Sequence, residues 1–276
     1  MILNVTEFDT KWPPRPVDRL LLSVSVISAV AYLLSQTEPF AGSAVVKSLA
    51  VSPLGLIAIS RPRDRDGFLL CGALLLSSVG DLLLGIDPDR LFVFGLAVFL
   101  IAHLLYITLF ALNKNQPAVT SSNSEATVGA VLLLSTERDR PSPGRSSTGA
   151  SINPSPVRDS SRRSPKAGAV RRLIAVVVGA YTASMLIWLW PSLGDLRIAV
   201  VVYICVITGM GVMSLLAGFR SWIVPLGALL FMLSDSLIAV GKFKHPVRYD
   251  NYLIWCTYYV GQVCITMGVL RYRERS

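Results

Sequence analysis

The chain has 276 residues, 53% of them hydrophobic, with a mean hydropathy of +0.57 and a formal net charge of +9. A soluble chain of this length alternates polar and apolar surface. Here long apolar stretches alternate with short charged ones, which excludes an ordinary soluble domain and points to the membrane class. The basic residues sit between the apolar stretches rather than along one amphipathic face, so nucleic-acid binding is not expected.

The N-terminal stretch MILNVTEFDTKWPPRPVDR (1–19) is polar and Pro-rich. It does not read as a cleavable signal peptide, so the first span is expected to be retained. Eight candidate spans follow, at about 17–36, 43–60, 67–86, 91–112, 169–190, 195–217, 222–241 and 249–270. Each is near the ~20 residues needed to cross hydrocarbon. Ser and Pro dilute the first two. In lipid every backbone polar group must be satisfied within its own segment, so all eight are expected to be helices.

Residues 113–168 break the pattern. They are rich in Ser, Pro, Arg and Gly, lack the apolar residues to build a core, and are expected to be disordered. Within them VGAVLLL (128–134) is too short to span. The expected organisation is therefore an N-terminal half (1–112, spans 1–4), a disordered cytoplasmic loop (113–168) and a C-terminal half (169–276, spans 5–8). With the N-terminus in the cytoplasm, 20 of the 26 Lys and Arg fall on the cytoplasmic side. That asymmetry places both termini there.

GALLLSSVGDLLLG (72–85) in span 3 resembles GALLFMLSDSLIAVG (227–241) in span 7, slipped by one residue. Each is followed by a span with polar residues near its middle, FLIAHLLYI (99–107) and WCTYYVGQVC (255–264). An offset of four spans keeps the copies parallel. The expected fold is thus all-α, with eight transmembrane helices in two parallel four-helix halves.

Four ionisable residues lie inside spans: Lys47, Asp81, His103 and Asp235. Each costs about 2–3 kcal/mol at a helix centre, so each should face the bundle interior. At ~1.5 Å per residue, both aspartates fall ~20 Å from the cytoplasmic end, level with His103, Tyr258 and Tyr259. Ser77 and Ser78 share the face of Asp81, and Tyr106 that of His103. On span 8, Asn251, Trp255, Tyr258, Tyr259, Gln262 and Thr266 form one polar-aromatic stripe. Lys47 reads as a snorkelling residue, a structural counter-ion or a substrate contact.

Cys71, Cys205, Cys256 and Cys264 lie in apolar runs with no CxxC pair and read as small buried residues. Two histidines, one of them in a loop, do not supply a zinc-hydrolase ligand set. The chain has no GxSxG, P-loop or dinucleotide fingerprint. What remains is a pair of carboxylates in a low-dielectric pocket, one able to protonate an atom while the other activates a water.

SSVGDLLLG (77–85), FGLAVFLIAHLLYI (94–107), GALLFMLSDSLIAVGKF (227–243) and TYYVGQ (257–262) together resemble the lysoplasmalogenase (YhhN-type) family of eight-span membrane proteins. The resemblance covers most of the chain outside 113–168, an insertion that departs from the family's usually short connection. It implies hydrolysis of the vinyl ether bond of lysoplasmalogens to a fatty aldehyde and a glycerophospho head group. No metal or organic cofactor is implied. The partners implied are a lysophospholipid substrate and membrane lipids. The family's intramembrane aspartates match Asp81 and Asp235, which are expected to be catalytic. His103, Tyr106, Tyr258, Tyr259, Gln262, Ser77 and Lys47 are expected to bind substrate. Such a protein would reside in the plasma membrane of a bacterium or the endoplasmic reticulum of a eukaryote. The rival readings are a transporter using the same carboxylates and a non-catalytic lipid-binding protein.

Overall fold

A computed structural model describes residues 15–36, 40, 42–60, 64–114, 165–219, 221–245 and 250–273. The described residues form eight α-helices and no strand. These are α1 (Pro16–Leu34), α2 (Ser43–Ile59), α3 (Arg65–Ile86), α4 (Phe92–Leu112), α5 (Pro165–Leu189), α6 (Arg197–Leu216), α7 (Ile223–Phe243) and α8 (Asp250–Arg273). Most of the Ser/Pro/Arg-rich stretch expected to be disordered, residues 115–164, lies outside the described residues.

Seven of the helices are long and apolar enough to cross a membrane. The eighth, α2, has 17 residues and carries Pro53 in its interior. Local chemistry sets several boundaries. Pro16 opens α1, where its missing N–H would have no partner anyway. Asp64 caps α3 by accepting the Gly67 N–H at 2.8 Å. Gly42, at φ +109°, adopts the left-handed turn that leads into α2, a conformation with little penalty only for glycine.

Each helix packs against its sequence neighbour within a half: α1 on α2, α2 on α3, α3 on α4, then α5 on α6, α6 on α7 and α7 on α8. Across the halves α4 packs on α6, and in the corresponding place α8 packs on α2. The α7–α8 contact is the most extensive. A Cβ on Gly227 would stand 2.7 Å from the Gly261 carbonyl oxygen, and one on Gly261 2.9 Å from that of Gly227. Two glycines are thus what let these backbones meet, as small residues do in membrane bundles where dispersion rather than hydrophobicity drives packing.

Polar bonds fix the remaining registers. Ser48 and Ser78 each donate to the other's carbonyl at 2.9 Å, tying α2 to α3. Ser234 donates to the Ile254 carbonyl at 3.0 Å, tying α7 to α8. At the end where α1 begins and α8 ends, Arg273 bonds Asp64 through Nε at 2.8 Å, and Asn113 bonds Asp66 at 2.8 Å. The cysteines depart from expectation. Cys71 is buried, but Cys205 and Cys256 are exposed on the outside of the bundle and Cys264 is half-buried. In a helix that is apolar all round, hydropathy alone does not tell the inner face from the outer one.

Candidate active site

Asp81 on α3 and Asp235 on α7 line one cavity of about 380 Å³. The floor also holds Lys47, Phe99 and Tyr258, and its rim holds Gln36, Pro88, Asp89, Lys242, Asp250 and Asn251. The rim residues all belong to the bundle end opposite the start of α1 and the end of α8. Counted along their helices at ~1.5 Å per residue, Lys47, Asp81, Tyr203, Asp235, Tyr258 and His103 lie ~6–16 Å below that end. The polar set therefore forms one shallow layer rather than a column through the bundle.

Each carboxylate takes one partner from the helix before it and one from the last helix of the other half. Asp81 receives Lys47 Nζ from α2 at 3.0 Å and the Tyr258 hydroxyl from α8 at 2.6 Å. Asp235 receives the Tyr203 hydroxyl from α6, while His103 Nε2 from α4 stands 3.9 Å away. The placement is alike and the chemistry is not: Asp81 faces a full positive charge, whereas Asp235 faces a phenol and an imidazole. His103 Nδ1 lies 2.5 Å from the Phe99 carbonyl oxygen. That oxygen only accepts, so Nδ1 carries a proton; in the neutral imidazole Nε2 then presents a lone pair toward Asp235.

Aromatic rings enclose both groups. Lys47 Nζ sits 5.8 Å from the Tyr32 ring centroid and 6.0 Å from that of Trp255. Trp255 is held by its indole N–H on the Ala29 carbonyl at 3.0 Å. Phe231 packs 4.8 Å from the His103 ring and 5.0 Å from the Tyr258 ring. Gly80 makes room beside Asp81, since a Cβ there would stand 2.6 Å from the Phe99 ring.

A second, narrow crevice of about 70 Å³ runs between α4, α5, α6 and α7. Apart from Thr182, Tyr203, Asp235 and Ser236 its lining is apolar, with Phe92, Leu96, Met185, Leu189, Ile204 and Phe243 among its walls. It shares Leu84, Phe92, Phe99, Asp235 and Ile238 with the polar cavity. Asp235 is thus the acidic residue that lines both spaces.

Several residues singled out from sequence lie just below this layer. Tyr106 donates to Gln262 Oε1 at 2.6 Å, and both are fully buried. Ser77 is buried on the inner face of α3, its hydroxyl without a hydrogen bond among the described residues. Tyr259 turns aside to α1, where its hydroxyl meets Ser25 Oγ at 2.9 Å, and it does not line the cavity. Of the tyrosine pair, only Tyr258 reaches a carboxylate. Tyr203, Tyr32, Phe99 and Phe231 were not legible as site residues. Tyr203 carried one signal, a lone phenol in an otherwise apolar span, but a single tyrosine among Val and Ile residues is ordinary packing material. Among the described residues no group of three or more His, Cys, Asp or Glu side chains is placed to hold a metal ion.

Fold and site define a multi-pass helical membrane protein whose halves each contribute one carboxylate to a shared cavity. The chain belongs to the YhhN family, whose model matches residues 42–136 and 162–269. It is 30% identical over 256 residues to a lysoplasmalogenase of Mycobacterium tuberculosis, an alignment covering 90% of this chain and 79% of the relative. It is also 30% identical over 230 residues to the human lysoplasmalogenase TMEM86B, covering 83% and 76% respectively. No solved structure matches the chain.

Proposed function

We propose that this protein hydrolyses the vinyl ether bond of lysoplasmalogens, with Asp235 as the proton donor and Asp81 as the fixed negative charge. The family and the relatives' names support the substrate class. The observation that carries the reading is the meeting of a polar cavity and an apolar crevice at Asp235. The scissile bond of a lysoplasmalogen lies at the boundary between a charged head and a hydrocarbon chain, so a substrate filling both spaces presents that bond to Asp235. In this reading α2 is the eighth span, both termini are cytoplasmic and the cavity opens on the opposite side.

The chemistry follows from the partners. Lys47 balances one negative charge, and the site holds that charge on Asp81. The lone pair of His103 Nε2, facing Asp235 with no cation beside it, is matched by a proton on the Asp235 carboxyl. Asp235 gives that proton to the β-carbon of the vinyl ether, and the α-carbon and ether oxygen share the resulting oxocarbenium charge. The Asp81 carboxylate, across the same cavity, stabilises that cation. Water adds to the α-carbon and its proton returns to Asp235. The hemiacetal then collapses: its hydroxyl proton passes to Asp81, Asp235 protonates the departing glycerol oxygen, and the proton on Asp81 returns to Asp235. The net change is one water consumed, one aldehyde and one alcohol formed, and both carboxyl groups restored.

The test is aldehyde release from lysoplasmenylethanolamine by purified wild type, Asp81→Asn and Asp235→Asn. Wild type is expected to release aldehyde, and each variant to lose at least about 100-fold in kcat, the scale of a lost acid or charge stabiliser. Full activity of Asp235→Asn refutes the assignment of the donor, and an inactive wild type refutes the reaction.

A further inference from the structure

Two turns above Asp235 the rim of the cavity carries Lys242. Its Nζ lies 2.7 Å from Asp89 Oδ1, in the connection between α3 and α4, and 5.1 Å from the centroid of the Phe92 ring. Both members of the pair line the cavity, and so does Asp250. Asp250 comes close to the neighbouring turn of α7: a Cβ on Gly241 would stand 3.5 Å from its Oδ2. One cation, paired with Asp89, and a second carboxylate, Asp250, thus line the entrance to the proposed site. The mechanism above uses none of the three.

We infer that Lys242 is the receptor for the phosphodiester of the substrate head group, and that Asp89 and Asp250 receive the terminal ammonium. This rests on the vinyl ether reading and extends it to the head group. Spacing supports it. Seven residues separate Asp235 from Lys242, ~10 Å of helix rise with both on nearly the same face. Five bonds separate the vinyl ether oxygen from phosphorus, ~6 Å when extended. The lysine stem and one hydrogen bond span the remainder. Charge supports it as well. An exposed pair such as Lys242–Asp89, with Asp89 86% exposed, contributes little to stability. A phosphate oxygen can replace the Asp89 carboxylate on Lys242 at small cost, and the displaced carboxylate is then free beside the ammonium. A zwitterionic phosphodiester exchanges its two charges for the protein's internal pair, whereas a neutral glycerol ether finds the clasp closed.

The experiment compares kcat/KM for lysoplasmenylethanolamine with that for 1-O-alkenylglycerol, which lacks the phosphate, in wild type and Lys242→Gln. The ratio is expected to fall about tenfold in the variant, through KM. For 1-O-alkenylglycerol 3-phosphate, which carries no ammonium, Asp89→Asn is expected to lower KM several-fold, because the phosphate no longer competes with a carboxylate. Binding of the unhydrolysable 1-O-alkyl lysophosphoethanolamine, followed by tryptophan fluorescence, reads the same site without turnover. It should weaken about tenfold in Lys242→Gln, and glycerophosphoethanolamine should compete with it better than inorganic phosphate does. An unchanged ratio with unchanged binding overturns the assignment, and equal competition by inorganic phosphate identifies a free-anion site instead. If wild type binds the alkyl lipid through Lys242 yet releases no aldehyde, the head-group site stands and the hydrolase reading fails.

Discussion

The division of labour between the two carboxylates makes opposite demands on stability, and this can be measured without substrate. Asp81 and Lys47 form an ion pair at 3.0 Å with side-chain exposures of 2% and 15%. Asp81→Asn keeps shape and volume but leaves the ammonium buried without its counter-charge. Removing one partner of a buried pair costs about 3–5 kcal/mol. The Tyr32 and Trp255 rings near Lys47 Nζ, at 5.8 and 6.0 Å, offset part of this by cation–π attraction, which favours the lower end, about 3 kcal/mol. For a chain of this size that corresponds to a fall of about 6–12 °C in thermal midpoint. Asp235→Asn replaces a protonated carboxyl by its near isostere. The amide oxygen still accepts from Tyr203 and no buried ion pair is broken, so the loss is within about 1 kcal/mol. Thermal melting of both variants in detergent, monitored by tryptophan fluorescence, should show Asp81→Asn clearly destabilised and Asp235→Asn close to wild type. Removing Lys47 as well, as Lys47→Met with Asp81→Asn, should recover part of the loss. The reverse order would place the negative charge on Asp235, and equal destabilisation would likewise refute the assignment of acid and base.

Three other expectations address the surroundings. His103→Phe removes the lone pair that faces Asp235, and kcat for aldehyde release should fall about 10–100-fold with KM little changed, as for a positioning residue. Gly227→Val puts a side chain where a Cβ already stands 2.7 Å from the Gly261 carbonyl, so α7 and α8 must separate and the thermal midpoint should fall by several degrees. Lys242 holds the Asp89 carboxyl below the usual carboxylate range by hydrogen bonding and by charge. A lowered folded value contributes stability that is complete above the ordinary value near ~3.9 and is lost as the pH falls through the lowered one. The difference in midpoint between wild type and Asp89→Asn should therefore be constant from pH 7 to 5 and shrink below about pH 4.

The sequence alone determined that this is a helical chain with long apolar segments, and it singled out Asp81 and Asp235 in corresponding positions of two similar stretches. Charges inside apolar runs are legible because hydrocarbon makes them costly wherever they point. What hydropathy did not contain was direction. Tyr258 and Tyr259 are adjacent on one stripe, yet the packing of α8 turns the first onto Asp81 and the second toward Ser25. Tyr203 looked like any aromatic in a Val-rich span until the approach of α6 to α7 set its hydroxyl on Asp235. Only the tertiary structure decided that Asp81 has a cation for a partner and Asp235 does not. A carboxylate's partners come from other helices, and the angle at which those helices meet is set by glycine contacts and serine bridges rather than by the polarity of the segment that carries the charge.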